Sequence, residues 1–164
     1  ATALGFNPVD REIMHHEPRD SRSPIVDTWQ LIRYLLVGSW VGVATVIGYT
    51  LYWREGVRKA STVSLSILVL IEMFNAINSV SENESIFVKV PWKNPFLILA
   101  ICCSLLLHAV IIYVPLCQGI MQVTELVAGD WWVVFWLSVP VLLLDELLKW
   151  ISRRRLEFGK LKRN

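Results

Sequence analysis

The stretch Val69–Ser85, "VLIEMFNAINSVSENES", sets a carboxylate, Glu72, and two amides, Asn75 and Asn78, in otherwise apolar chain. At about 100° per residue, Asn75, Ala76 and Ser79 share a helical face with Glu72 within about 60°. One side of such a helix is a column of oxygen atoms, and Ala76 leaves room beside it. The other side is Leu, Ile, Val and Phe. An uncompensated charge in hydrocarbon costs a few kcal/mol, so Glu72 needs a partner. Oxygen-rich faces suit hard cations such as Ca²⁺, which gathers about six to eight oxygens. One helix cannot supply that many, so most ligands would have to come from other helices. The other reading is a protonated acid hydrogen-bonded to a neighbouring helix, since burial favours the neutral carboxyl. On the residues alone both readings stand.

The element that must carry Glu72 is one of four apolar stretches. Of the 164 residues, 54% are hydrophobic and 18% charged, a balance foreign to soluble domains and normal for a polytopic membrane protein. A helical span needs about 20 residues. Residues 29–53, 62–80, 96–114 and 131–151 qualify or nearly so, and Trp and Tyr mark their ends as interfacial belts do. The fold class predicted is therefore all-α, with four transmembrane helices. Glu72 falls about ten residues, or about 15 Å, into the second span.

Four spans put both termini on one side. Lys and Arg concentrate in residues 1–28, in the 81–95 loop and in the 152–164 tail. The 54–61 loop carries three basic residues and the 115–130 loop carries none. The positive-inside rule makes the first group cytosolic and the second lumenal. Gly38 and Gly42 form a small-xxx-small pair on the first span, with Thr45 on the same face, where another helix could approach closely. Pro140 predicts a kink in the fourth span.

Other polar residues have plainer readings. Asp145 and Lys149 stand four apart near the end of the fourth span, which predicts an ion pair. His108 reads as a hydrogen-bonded packing residue. His15 and His16 have no partner at metal-ligand spacing. Cys102, Cys103 and Cys117 fit no zinc or disulfide pattern. The N-terminus has neither the basic start nor the apolar length of a signal peptide. "SENES" is polar and acidic near the cytosolic mouth, fitting either a solvated loop or a weak cation attractor.

Several long motifs in order resemble one family. "SLSILVLIEMFNAINSVSENESI" followed by "PWKNPF" resembles the eighth membrane helix and next loop of endoplasmic-reticulum-type P-type calcium ATPases. "SLLLHAVIIYVP" looks like the ninth helix of that family, and "LSVPVLLLDELLKWISR" is similar to the tenth. "ATALGFNPVDREIM" resembles the end of the sixth helix and its following loop, and "LIRYLLVGSWVGVATV" resembles the seventh. The resemblance implies the C-terminal part of an ATP-driven pump moving Ca²⁺ from cytosol into the endoplasmic reticulum lumen. It implies that Glu72 is a ligand of one transported Ca²⁺; Asn75 and Ser79, on the same helical face, are the candidates to support it from behind. The other ligands would come from the fourth, fifth and sixth helices, and Gly38 and Gly42 would pack on the fifth. Asp10 and Glu12 match acids of the loop that couples ion sites to phosphorylation, whereas His15 stands where a third acid is common.

The sequence also departs from the family. It has no Asp-Lys-Thr-Gly phosphorylation motif and no nucleotide-binding domain, so ATP and Mg²⁺ would act only through the remainder of a parent pump. The expectation is a C-terminal piece of that parent. The family's loop between the seventh and eighth helices is long, and "REGVRKAS" at 54–61 is short: a shortened loop or a joined gap. "KLKRN" resembles a Lys-x-Lys-x-x retrieval signal and also suits a basic tail on anionic lipid. Expected partners are the rest of the pump, the bilayer and small regulatory membrane proteins, with no nucleic acid. The rival reading is a freestanding four-helix membrane protein, either a small proton-coupled exporter or a structural subunit.

Overall fold

The computed structural model describes residues 28–79 and 94–161, with side chains as far as Ser152 and at Arg154. Every described element is helical. α1 runs Thr28–Tyr52, a 3₁₀ turn follows at Trp53–Glu55, and α2 runs Val57–Asn78. α3 is Pro95–Tyr113, α4 is Pro115–Met121, α5 is Ala128–Ser138 and α6 is Pro140–Leu161. Among the described residues, four segments are long and apolar enough to cross a membrane: Thr28–Glu55, Val57–Asn78, Pro95–Tyr113 and Ala128–Ser152.

Local chemistry sets the breaks. Gly56 has φ of 118°, a conformation that side chains oppose, and it reverses the chain between α1 and α2. Asn94 caps α3 by accepting from the Leu97 N–H at 3.1 Å, with Pro95 in the first turn where no N–H is needed. Asp130 accepts from the Val127 N–H at 3.0 Å and holds the start of α5. Pro140 cannot donate to the carbonyl four residues back, and the chain departs from α-helix for one residue at Val139.

The outcome differs from the sequence expectation at two places. Residues 57–61, read as loop, are the first turn of α2, because "VRKAS" is polar but favours helix. Residues 115–121, read as loop, form the short helix α4 behind Pro115. The second span therefore starts earlier, and Glu72 lies about 22 Å from its first residue and about 9 Å from its last.

α2 is the central helix and packs on α1, α3, α5 and α6. Its buried side carries Ala60, Val63, Ile67 and Ile71. In lipid, apolar side chains gain little by turning inward, so close fit and polar links hold helices together. The tightest fit is at Gly48 of α1, where Ile67 Cδ1 occupies the space a Cβ would take. Polar links surround it. Ser64 Oγ donates to Thr45 O at 2.9 Å, and Ser138 Oγ donates to Val134 O at 2.7 Å and lies 3.4 Å from Ile67 O. The outer faces of α1, α3 and α5 expose large apolar residues such as Leu35, Leu106 and Trp136. The start of α1 and the later turns of α6 lie at one end; the Gly56 turn, α4 and the start of α5 lie at the other.

Candidate functional site

Glu72 stands on the open side of α2. Ser61, Leu65, Leu68, Glu72, Asn75, Ala76 and Ser79 run along the stripe that the packed helices leave uncovered. Glu72 and Ser79 are exposed, and Asn75 and Ala76 are half-buried. Among the described residues Glu72 has no hydrogen bond and no ion pair. Ser79 Oγ donates to Asn75 O at 2.8 Å, which leaves both Asn75 amide atoms and the hydroxyl lone pairs available. The sequence thus placed Glu72, Asn75 and Ser79 on one face, and the structure leaves that face open. Among the described residues no three His, Cys, Asp or Glu side chains come together as a metal cluster.

Two charge clusters flank α2, one at each end. At the Asn78 end, Asp145 Oδ1 accepts from Arg33 Nε at 2.9 Å and Nη2 at 2.6 Å. Lys149 Nζ sits 3.3 Å from Asp145 Oδ2 and donates to Asn78 O at 2.9 Å. Lys149 is 0% exposed, Asn78 3% and Asp145 4%. The expected Asp145–Lys149 pair is present. The residues that sequence reasoning missed are Arg33 on α1 and Asn78 on α2. The signal for Arg33 was available: a charge inside an apolar helix demands a counter-charge. Nothing in the sequence marks the Asn78 carbonyl.

At the Gly56 end, Lys59 Nζ pairs with Glu55 Oε2 at 2.6 Å and Asp130 Oδ2 at 3.3 Å, and lies 5.2 Å from the Tyr52 ring centroid. This cluster was also missed, because its members belong to four separate elements. Beside it, Thr62 Oγ1 donates to Arg58 O at 2.7 Å and accepts from Thr124 N at 3.0 Å. His108 Nε2 is 3.0 Å from Ser66 Oγ, whose single proton goes to Thr62 O at 2.8 Å. Nε2 therefore carries the donated proton. The His108 ring meets Trp131 edge-on at 6.4 Å, the packing role the sequence suggests.

The remaining sequence-derived candidates divide in two. Gly38 and Gly42 are exposed, and a Cβ at either would meet no atom within 4 Å. Among the described residues the glycine that meets a neighbouring helix is Gly48. Asp10, Glu12, His15, His16, "SENES" and the "KRN" end of the tail lie outside the described residues. Cys102, Cys103 and Cys117 are free thiols.

Comparison with known proteins decides what kind of chain carries this face. The model of the family described as cation transporting ATPase, C-terminus, matches residues 1–151. The chain belongs to that family. A calcium-transporting ATPase of Plasmodium falciparum is 37% identical to this C-terminal cation-ATPase chain over 202 residues, covering 96% of it and 16% of the relative. The calcium-transporting ATPase 2, endoplasmic reticulum-type, of Arabidopsis thaliana is 36% identical over 215 residues, covering 94% of this chain and 20% of the relative. The chain thus spans about a sixth to a fifth of the relatives' length. Both aligned stretches exceed the 164 residues here, so each relative has positions without a counterpart in this cation-ATPase chain.

Proposed function

We propose that this chain is the C-terminal membrane part of an ATP-driven Ca²⁺ pump, and that Glu72 gives a carboxylate oxygen to a transported Ca²⁺. One observation carries the reading. Lys59, Asp130, Asp145 and Lys149 are all paired within the chain, while Glu72 is left open on a face of amide and hydroxyl oxygens. A charge left open in a membrane helix needs its partner from beyond the described residues. Two relatives named calcium-transporting ATPases make Ca²⁺ the cargo of choice, and a hard cation matches carboxylate and amide oxygens.

The other parts take supporting roles. Helices from the rest of the pump would complete the ligand set and cover Gly38 and Gly42. The basic end of the molecule faces the cytosol, so Glu72 lies nearer the cytosolic mouth. The short turn over residues 53–56 faces the lumen, where the family carries a longer loop. Asp10 and Glu12 lie in the cytosolic segment that couples ion binding to phosphorylation elsewhere. ATP and Mg²⁺ act there and not on this chain, and the endoplasmic reticulum-type relative supports a location in that membrane.

The test is Ca²⁺-activated phosphorylation by ATP in the full-length pump. Glu72→Gln keeps shape and removes charge. The expected result is a right-shifted Ca²⁺ dependence by about ten-fold or more. An unshifted curve would contradict the assignment.

A further inference from the structure

A divalent ion held at about 2.3–2.6 Å tolerates little drift in its ligands, so a helix that offers one must be fixed in rotation and height. α2 is fixed near Gly56 by Thr62, Ser66 and the Gly48 contact. Its other end, beyond Glu72, has a different anchor. Asn78 is the last residue of α2, and the last four carbonyls of a helix have no partner within the helix itself. Lys149 of α6 supplies one instead, at 2.9 Å. A cation there also complements the negative end of the helix dipole.

Lys149 does not hold α2 alone. One turn before it, Asp145 is 3.3 Å from its amine and bonded to Arg33 of α1. A fully buried ammonium is costly without a counter-charge, and here one carboxylate and one carbonyl oxygen meet it, so displacing either would leave the charge uncompensated. The linkage joins α1, α6 and the final carbonyl of α2, six residues and about 9 Å along the helix from Glu72.

We propose that Lys149, oriented by Asp145 and Arg33, is a positioning residue that sets the height and rotation of α2 and so the placement of the Glu72 carboxylate for its ion. The proposal rests on Glu72 being a Ca²⁺ ligand. It assigns Lys149 no contact with the ion. A residue of merely structural importance would lower the amount of active pump, whereas a positioning residue changes the Ca²⁺ concentration at which the pump works.

The experiment compares Lys149→Met, Lys149→Arg and Glu72→Gln in the full-length pump, reading phosphoenzyme formed from ATP against free Ca²⁺. Lys149→Met fills similar space without a donor or charge. It is expected to raise the half-saturating Ca²⁺ at least about five-fold while phosphoenzyme at saturating Ca²⁺ stays near wild type. Lys149→Arg, which still donates to Asn78 O and pairs with Asp145, is expected to restore most of the affinity. A folded Lys149→Met pump with an unshifted curve overturns the proposal. So does a fall in phosphoenzyme at saturating Ca²⁺ with no shift. If Lys149→Met does not accumulate, Lys149→Gln takes its place with the same expectation; if neither accumulates, Lys149 serves folding as such and the proposal is wrong. An unshifted Glu72→Gln curve contradicts the Ca²⁺-ligand reading itself. A shifted Glu72→Gln beside an unshifted Lys149→Met contradicts only the positioning role.

Discussion

Most of the charged residues in the apolar part of the chain resolve into pairs, and the pairs have different strengths. Arg33, Asp145 and Lys149 form a largely buried cluster in which the one carboxylate lies between two cations. Asp145→Ala would leave two cations facing each other in a low-dielectric site. Removing one partner of a buried pair costs about 3–5 kcal/mol, so thermal unfolding in detergent should shift strongly downward. The exposed i,i+4 pair Glu55–Lys59 is worth only tenths of a kcal/mol, and Glu55→Gln should leave the melting temperature nearly unchanged. The two cases also differ in how far the sequence revealed them. Asp145 and Lys149 share one helix at a spacing that brings side chains together, so the pair could be read directly. Arg33 lies 112 residues from Asp145, and Asn78 lies 71 from Lys149, so only the packing of three helices brings them to one place. The Glu72 face needed nothing beyond helical period and was legible in full.

Helices pose a second problem, which is where they begin and what they touch. Hydropathy finds the apolar stretch, not the helix, and the polar first turn of α2 was therefore assigned to a loop. The reversal depends on Gly56, whose φ of 118° excludes most other residues. Gly56→Ala should cost about 1–3 kcal/mol through strain in that turn, visible as a lower melting temperature without loss of helix by circular dichroism. Small residues gave a similar half-answer. The Gly38 and Gly42 pair marks a surface fit for close approach, but the helix that this chain brings close meets Gly48 instead. A motif states that contact is sterically allowed and says nothing about which helix arrives. Gly48→Leu should force Ile67 and α1 apart at about 1–3 kcal/mol, measurable as lost thermal stability. Gly42→Leu meets open space within the chain and should act only in the full-length pump, as reduced transport.

At the scale of the whole molecule, four apolar spans with an even count return the chain to the end from which α1 starts. The helices pack around α2 so that its core side meets α1, α3, α5 and α6, while among the described residues Glu72 stays exposed and without a polar partner. That division leaves the Glu72 carboxylate uncovered, and composition and periodicity gave the fold class without showing what meets that carboxylate. The account depends on Glu72 holding an ion jointly with helices from the rest of the pump. Equilibrium binding of ⁴⁵Ca²⁺ to the full-length pump without ATP tests it most directly. The account predicts that Glu72→Gln binds less Ca²⁺ than wild type at micromolar free ion, with Asn75→Ala intermediate. Binding curves that superimpose on wild type for a folded Glu72→Gln pump would contradict it.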